Sequence, residues 1–133
     1  MPEPVIVPPK KTVALRTEVV NTLTAVMPEG SKIYYQQAQK EHPQIYAVYT
    51  IDQIDNTDER LTYELEINVM DYGTDTSTVE NLADDIQAAF NTKVIIADTI
   101  GVYFYADRRN SVEEEDRNIL RRRLTFSTYL YER

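Results

Sequence analysis

Residues 61 to 70 alternate without a break. Leu61, Tyr63, Leu65, Ile67 and Val69 are apolar, while Thr62, Glu64, Glu66 and Asn68 are polar. A period of two puts the two sets on opposite sides of an extended chain, so the segment predicts a strand with one dry and one wet face. The stretch from Asn118 to Glu132 repeats the pattern, with Leu120, Leu124, Phe126, Thr128 and Leu130 set against Arg121, Arg123, Thr125, Ser127 and Tyr129. Ile45 to Ile54 and Val94 to Ala106 are rich in β-branched and aromatic residues and predict two further strands, the second with a bulge or bend at Gly101. Ile33 to Gln37 predicts a shorter one.

Two segments change period. Leu15, Val19, Leu23 and Val26 recur at three- and four-residue spacing, which predicts a helix over residues 12–27, capped by Thr12 and ended by Pro28-Glu-Gly30. Val79, Leu82, Ala83, Ile86 and Phe90 form a second stripe. Ser77-Thr-Val-Glu80 ahead of it reads as a capping box, in which the Ser hydroxyl and the Glu carboxylate satisfy the first free amides. The predicted order is α-β-β-β-α-β-β. The wet strand face and the short connections predict an α+β fold: a mainly antiparallel sheet with both helices packed on one face.

Residues 1–10 stand apart from this domain, which spans residues 11–133. They hold Pro2, Pro4, Pro8 and Pro9, which favour an extended arm and cannot join a helix. The arm is either a free tail or a segment that orders on a neighbouring subunit, the second because Val5, Ile6 and Val7 are apolar for a tail in water.

Composition narrows the chemistry. The chain has 133 residues, 42% of them hydrophobic, which suffices for one buried core. It has no cysteine, which excludes disulfides, thiolate nucleophiles and Cys-based zinc sites. A net charge of −8 argues against a protein that grips nucleic acid, yet suits a wall that lets a phosphate backbone slide past. No secretory leader or membrane span is expected. The single histidine, His42, sits in the polar loop Gln37 to Pro43 with no Ser or Cys partner pattern. Gly30, Gly73 and Gly101 are too far apart for a phosphate loop. Asp52, Asp55, Asp58 and Glu59 cluster in the connection Asp52 to Arg60, but without the central glycine of a calcium loop they read as a solvated hairpin tip. Asp84 and Asp85 read as helix surface. No catalytic residue, metal or cofactor is expected, and the chain is not expected to be an enzyme.

Two features exceed the needs of a single subunit. There are ten tyrosines and no tryptophan. Tyr49, Tyr63 and Tyr103 suit a core, but Tyr34, Tyr35, Tyr46, Tyr72, Tyr105, Tyr129 and Tyr131 cannot all be buried, and tyrosine is favoured at interfaces. Charges also alternate in blocks. Arg108 and Arg109 precede Glu113, Glu114, Glu115 and Asp116, and Arg117, Arg121, Arg122 and Arg123 follow. Consecutive arginines on a strand point to both faces, so Arg122 is placed near the core, where it needs a partner in its own chain or in an adjacent copy. Val5, Ile6, Val7, Arg108, Arg109, Glu113, Glu114, Glu115, Arg121, Arg122, Arg123, Tyr129 and Tyr131 are the candidate interface residues.

The helix ending in Met27-Pro-Glu-Gly30, the alternating strand Leu61 to Val69, the capped helix Ser77 to Phe90, the charged hairpin and the closing Arg122-Arg-Leu-Thr-Phe-Ser-Thr-Tyr-Leu130 together resemble the tail-completion, or tail-terminator, proteins of long-tailed bacteriophages. The resemblance covers residues 11–131. It implies a structural virion protein that forms a ring, usually a hexamer, terminating the tail tube and joining it to the head connector. The implied partners are copies of itself, the tail tube protein and a head-completion or connector protein, with DNA passing through the lumen. Assembly would take place in the host cytoplasm. Three other readings compete: another neck or minor tail component of the same fold, a small α+β enzyme or ligand-binding protein, and an adaptor that takes a peptide on a sheet edge.

Overall fold

The alternating segments pair side by side, because each buries its apolar set only when its backbone is satisfied by a neighbour. A computed structural model describes residues 10–56, 60–97 and 99–132. In chain order these residues form α1 (Lys11–Val26), β1 (Lys32–Tyr35), β2 (Tyr46–Asn56), β3 (Leu61–Tyr72), α2 (Ser77–Phe90), β4 (Val94–Ile96), β5 (Ile100–Val112) and β6 (Ile119–Glu132). The strands make one six-stranded sheet in the order β1-β2-β3-β6-β5-β4. Every pairing is antiparallel except β1 with β2 at one edge.

Both helices lie on one face of the sheet, as the α+β pattern predicts. Leu15, Val19 and Leu23 of α1, and Val79, Leu82, Ala83, Ile86 and Phe90 of α2, are buried. They meet Tyr63, Leu65 and Ile67 of β3, Phe104 of β5, and Leu124, Phe126 and Leu130 of β6 in one apolar cluster. Phe90 is its hub, with ring centroids 5.1 Å from Phe104 and 5.4 Å from Phe126.

Four local expectations give way to tertiary contacts. The strand expected over Val94 to Ala106 is two strands: Ala97 N–H donates to Ile100 O at 2.9 Å and turns the chain, so β4 folds back on β5. β5 then runs on to Val112, because the long β6 offers it a partner as far as Arg121. Arg108 and Arg109 therefore belong to the sheet, and the charged connection, expected over residues 107–117, is residues 113–118. The capping box does not form. Ser77 N–H instead donates to Asp75 Oδ1 at 2.9 Å, which holds the Asp75 carboxyl below its usual range, and the Glu80 side chain goes elsewhere. Thr12 does not cap α1 either: it lies inside the helix, its hydroxyl 3.3 Å from that of Tyr63, and Lys10 occupies the cap position.

The irregularity of β5 falls at Asp107 rather than Gly101, and β2 has a second one between Gln53 and Asp55. Ala106 pairs with Phe126 and Arg108 with Thr125, which leaves Asp107 as an extra residue. Ser127 Oγ donates to Asp107 Oδ2 at 2.6 Å. One inserted residue swaps the faces of all that follow. Ala106 points to the helices, Arg108 to the open side, and Arg109 to the helices again.

Candidate interaction surface

Three consecutive arginines of β6 have three different surroundings. Arg122 stands opposite Val69 on the helix-bearing face, and its side chain is only 13% exposed. Its Nε is bonded to the Glu80 carboxylate of α2. Arg109, turned to the same face by the bulge and 20% exposed, donates from Nη2 to Glu80 Oε2 and to Glu80 O, both at 3.2 Å. Its Nη1 meets Asp84 Oδ1. Two guanidiniums and two carboxylates thus close a neutral cluster between α2 and the β5–β6 ribbon, which meets the requirement that a buried charge be paired. The partner of Arg122 lies within its own chain. Glu80 and Asp84 went unrecognised as members of this cluster, since one fits a capping box and the other a solvent-facing helix position.

Arg121 and Arg123 point to the other face. Arg121 Nη1 is 2.8 Å from Glu114 Oε1, and its Nε donates to Asn68 Oδ1 at 2.8 Å. Arg123 Nε is 3.7 Å from Glu66 Oε1. Arg108, Glu113 and Glu115 are exposed. Val5, Ile6 and Val7 lie outside the described residues, as do Asp58 and Glu59 of the expected hairpin tip.

No helix covers this second face among the described residues, and it carries aromatic groups at both ends. At one end Tyr34 and Tyr46 meet edge to face at 6.2 Å, and the His42 ring lies 4.0 Å from that of Tyr46. Burial pushes the Tyr46 hydroxyl above its ordinary pKa, and the Glu114 carboxylate adds to the effect. A cleft of about 380 Å³ lies beside it, lined by His42, Pro43, Gln44, Tyr46, Asp71, Tyr72 and Ile119. At the other end Tyr103 and Tyr129 stack at 6.2 Å, and the Arg60 guanidinium sits 4.7 Å above the Tyr129 ring. Tyr131, Tyr105, Val94 and Ile96 around them are exposed. Tyr103, expected in the core, belongs to this half-exposed face, because β5 begins its alternation with Ile100 buried. Tyr35 packs 5.1 Å from Tyr49 on the helix side, under the Arg16 guanidinium.

The arrangement offers stacking, hydrogen bonding and ion pairing over a broad face. Among the described residues no group of three or more His, Asp or Glu side chains is placed to hold a metal ion. Among the described residues no helix is long and apolar enough to cross a membrane.

What the geometry defines is a class: an α+β sheet with one face spent on the core and the other left open. The fold is shared with known structures. One is a chain of the virion of a native gene transfer agent particle, with a TM-score of 0.64 at 12% identity, covering 85% of this chain and 91% of that one. A second solved chain, whose name states no function, matches at a TM-score of 0.63 and 11% identity over 92% of both. At these identities the likeness is one of fold. No family model matches the sequence, and no curated protein matches it.

Proposed function

We propose that this chain is a structural subunit of a phage-type virion, and that within the particle it forms the ring that ends the tail tube and joins it to the head connector. The supporting observation is the fold shared with a gene transfer agent virion chain along 85% of this sequence. The open sheet face gives the reading a physical basis, because aromatic and charged groups left bare on a subunit suit contacts with further protein. In this reading the subunit acts by position and not by catalysis, and needs no cofactor. Its partners are further copies, up to a hexamer, the tail tube protein and the head-completion or connector protein. Its site of action is the virion, after assembly in the host cytoplasm. A net charge of −8 keeps the lumen from holding the DNA that passes through it.

The contacts between copies draw on Arg108, Glu113, Glu115, Tyr129 and Tyr131. Arg109, Arg121, Arg122, Arg123 and Glu114 act indirectly, since their ion pairs shape the hairpin that presents the others. Gold-labelled antibody against the chain, applied to intact particles, is expected to mark one point at the head–tail junction. Particles made without it are expected to accumulate as separate heads and tubes. Label spread along the tube, or particles free of the chain, would overturn the placement.

A further inference from the structure

Among the described residues Asp71, 7% exposed, is the only charged residue that is buried, and no ion pair reaches it. This sets it apart from Arg122 and Arg109, which share the Glu80 carboxylate. Its hydrogen bonds are lopsided. Gln44 Nε2 at 3.0 Å and Tyr72 N–H at 2.7 Å both donate to Oδ1, and Gln44 Nε2 also donates to Tyr72 O at 3.0 Å. Oδ2 takes no hydrogen bond among the described residues. A buried charge left half satisfied calls for a cation.

The space for one is already present. Asp71 lines the cleft of about 380 Å³ beside Tyr46, at the end of the sheet where β2 and β6 begin and β3 ends. The walls include three rings: His42 and Tyr46, 4.0 Å apart, and Tyr72, 52% exposed. A carboxylate among aromatic walls suits a guanidinium better than an ammonium, because the guanidinium is planar, stacks on rings and is the more weakly hydrated of the two.

The chain itself carries such a group with nothing to hold. Arg109, Arg121, Arg122 and Arg123 each meet a carboxylate. Arg16 and Arg60 lie over tyrosine rings, and Arg117 lines a separate hollow with Glu113 and Glu114. Arg108 is exposed and makes no hydrogen bond, ion pair or ring contact among the described residues. It cannot reach the Asp71 of its own chain. Asp71 stands against Leu120 of β6 and Arg108 against Thr125, on opposite sides of that strand. Five residues are about 16 Å of strand, beyond the combined length of the two side chains. A contact between two different patches is head-to-tail, the kind that closes rings.

We infer that the cleft at Asp71 takes the Arg108 guanidinium of a neighbouring copy, as an extension of the ring proposed above and resting on it. The test is complementation in particle assembly. Asp71→Asn removes the charge but keeps an acceptor for Gln44 and Tyr72, and Arg108→Gln changes an exposed residue, so both variants fold, which thermal unfolding of the purified chains checks. Each alone is expected to enter purified virions several-fold less than the parent by quantitative blotting, and the double variant no less than the weaker single one. Co-expressed, the two single variants are expected to recover part of the loss, because an intact Asp71 meets an intact Arg108 wherever the two kinds of chain alternate. Parent-like incorporation of either single variant, or two poor variants that stay poor together, would overturn the inference and leave the ring standing. Particles that lack the parent chain would overturn the ring, and the inference with it.

Discussion

The two faces of this sheet are built from the same strands, often from adjacent residues, yet they are organised in opposite ways. On the helix side, contacts are apolar and continuous from Leu15 through Phe90 to Leu130, and the charges present close on themselves around Glu80. On the open side, contacts are local: an aromatic group at each end, and the pairs Arg121–Glu114 and Arg123–Glu66 between them. Most of the apolar burial thus lies on the helix side, while the other face buries only Asn68, Met70 and Thr125 and keeps its aromatic groups at the ends partly exposed.

The separation can be tested by substitution. The largest effect is expected from Phe126→Ala, which removes a fully buried ring in contact with Phe90 and should cost about 3–5 kcal/mol in chemical denaturation. Glu80→Ala comes next. It leaves Arg122 and part of Arg109 without their shared carboxylate, and because Glu80 is itself half exposed the loss should be about 1–2 kcal/mol. Asp84→Ala touches Arg109 alone and should cost less. If Glu80→Ala were as mild as a surface change, the cluster would not be part of the helix-side scaffold.

On the open face the expected effects are smaller. Tyr46 has a raised pKa, so the folded state holds its proton more tightly than the unfolded chain. Its contribution is complete below the ordinary phenol value of 10.0 and is lost as pH rises through the higher folded value. Comparing stability against pH for the parent and Tyr46→Phe should show an extra alkaline decline in the parent alone. Arg123→Ala breaks an ion pair at 3.7 Å and should change stability by at most about 1 kcal/mol, an effect that salt diminishes. Tyr105→Ser should leave stability within about 0.5 kcal/mol while reducing incorporation into particles, measured by quantitative blotting of purified virions. A large stability loss in Tyr105→Ser would erase the distinction between the faces.

Much of the scaffold was legible in the sequence. Strict alternation from Leu61 to Val69 and along β6, and the stripes on α1 and α2, announce which residues turn inward, because solvent exclusion acts on each position through a fixed backbone period. The candidate surface was legible in part. Runs of arginine and tyrosine showed that groups were present beyond the needs of a core. They did not show where each would point. Tyr103, expected in the core, lies on the open face, and the hairpin arginines divided between two faces.

Sequence alone determined the element types, the apolar faces and the surplus of tyrosine and arginine, since each of these follows from residue identity and a local period. The tertiary structure decided the rest. A single extra residue at Asp107 turns Arg109 beneath α2, and Glu80 abandons a local cap for two guanidiniums brought from residues 29 and 42 positions away. The short turn after Ile96 makes a separate edge strand. These outcomes depend on register and on partners distant in the chain, and a buried charge or an inserted residue takes its meaning only from what the fold sets opposite it.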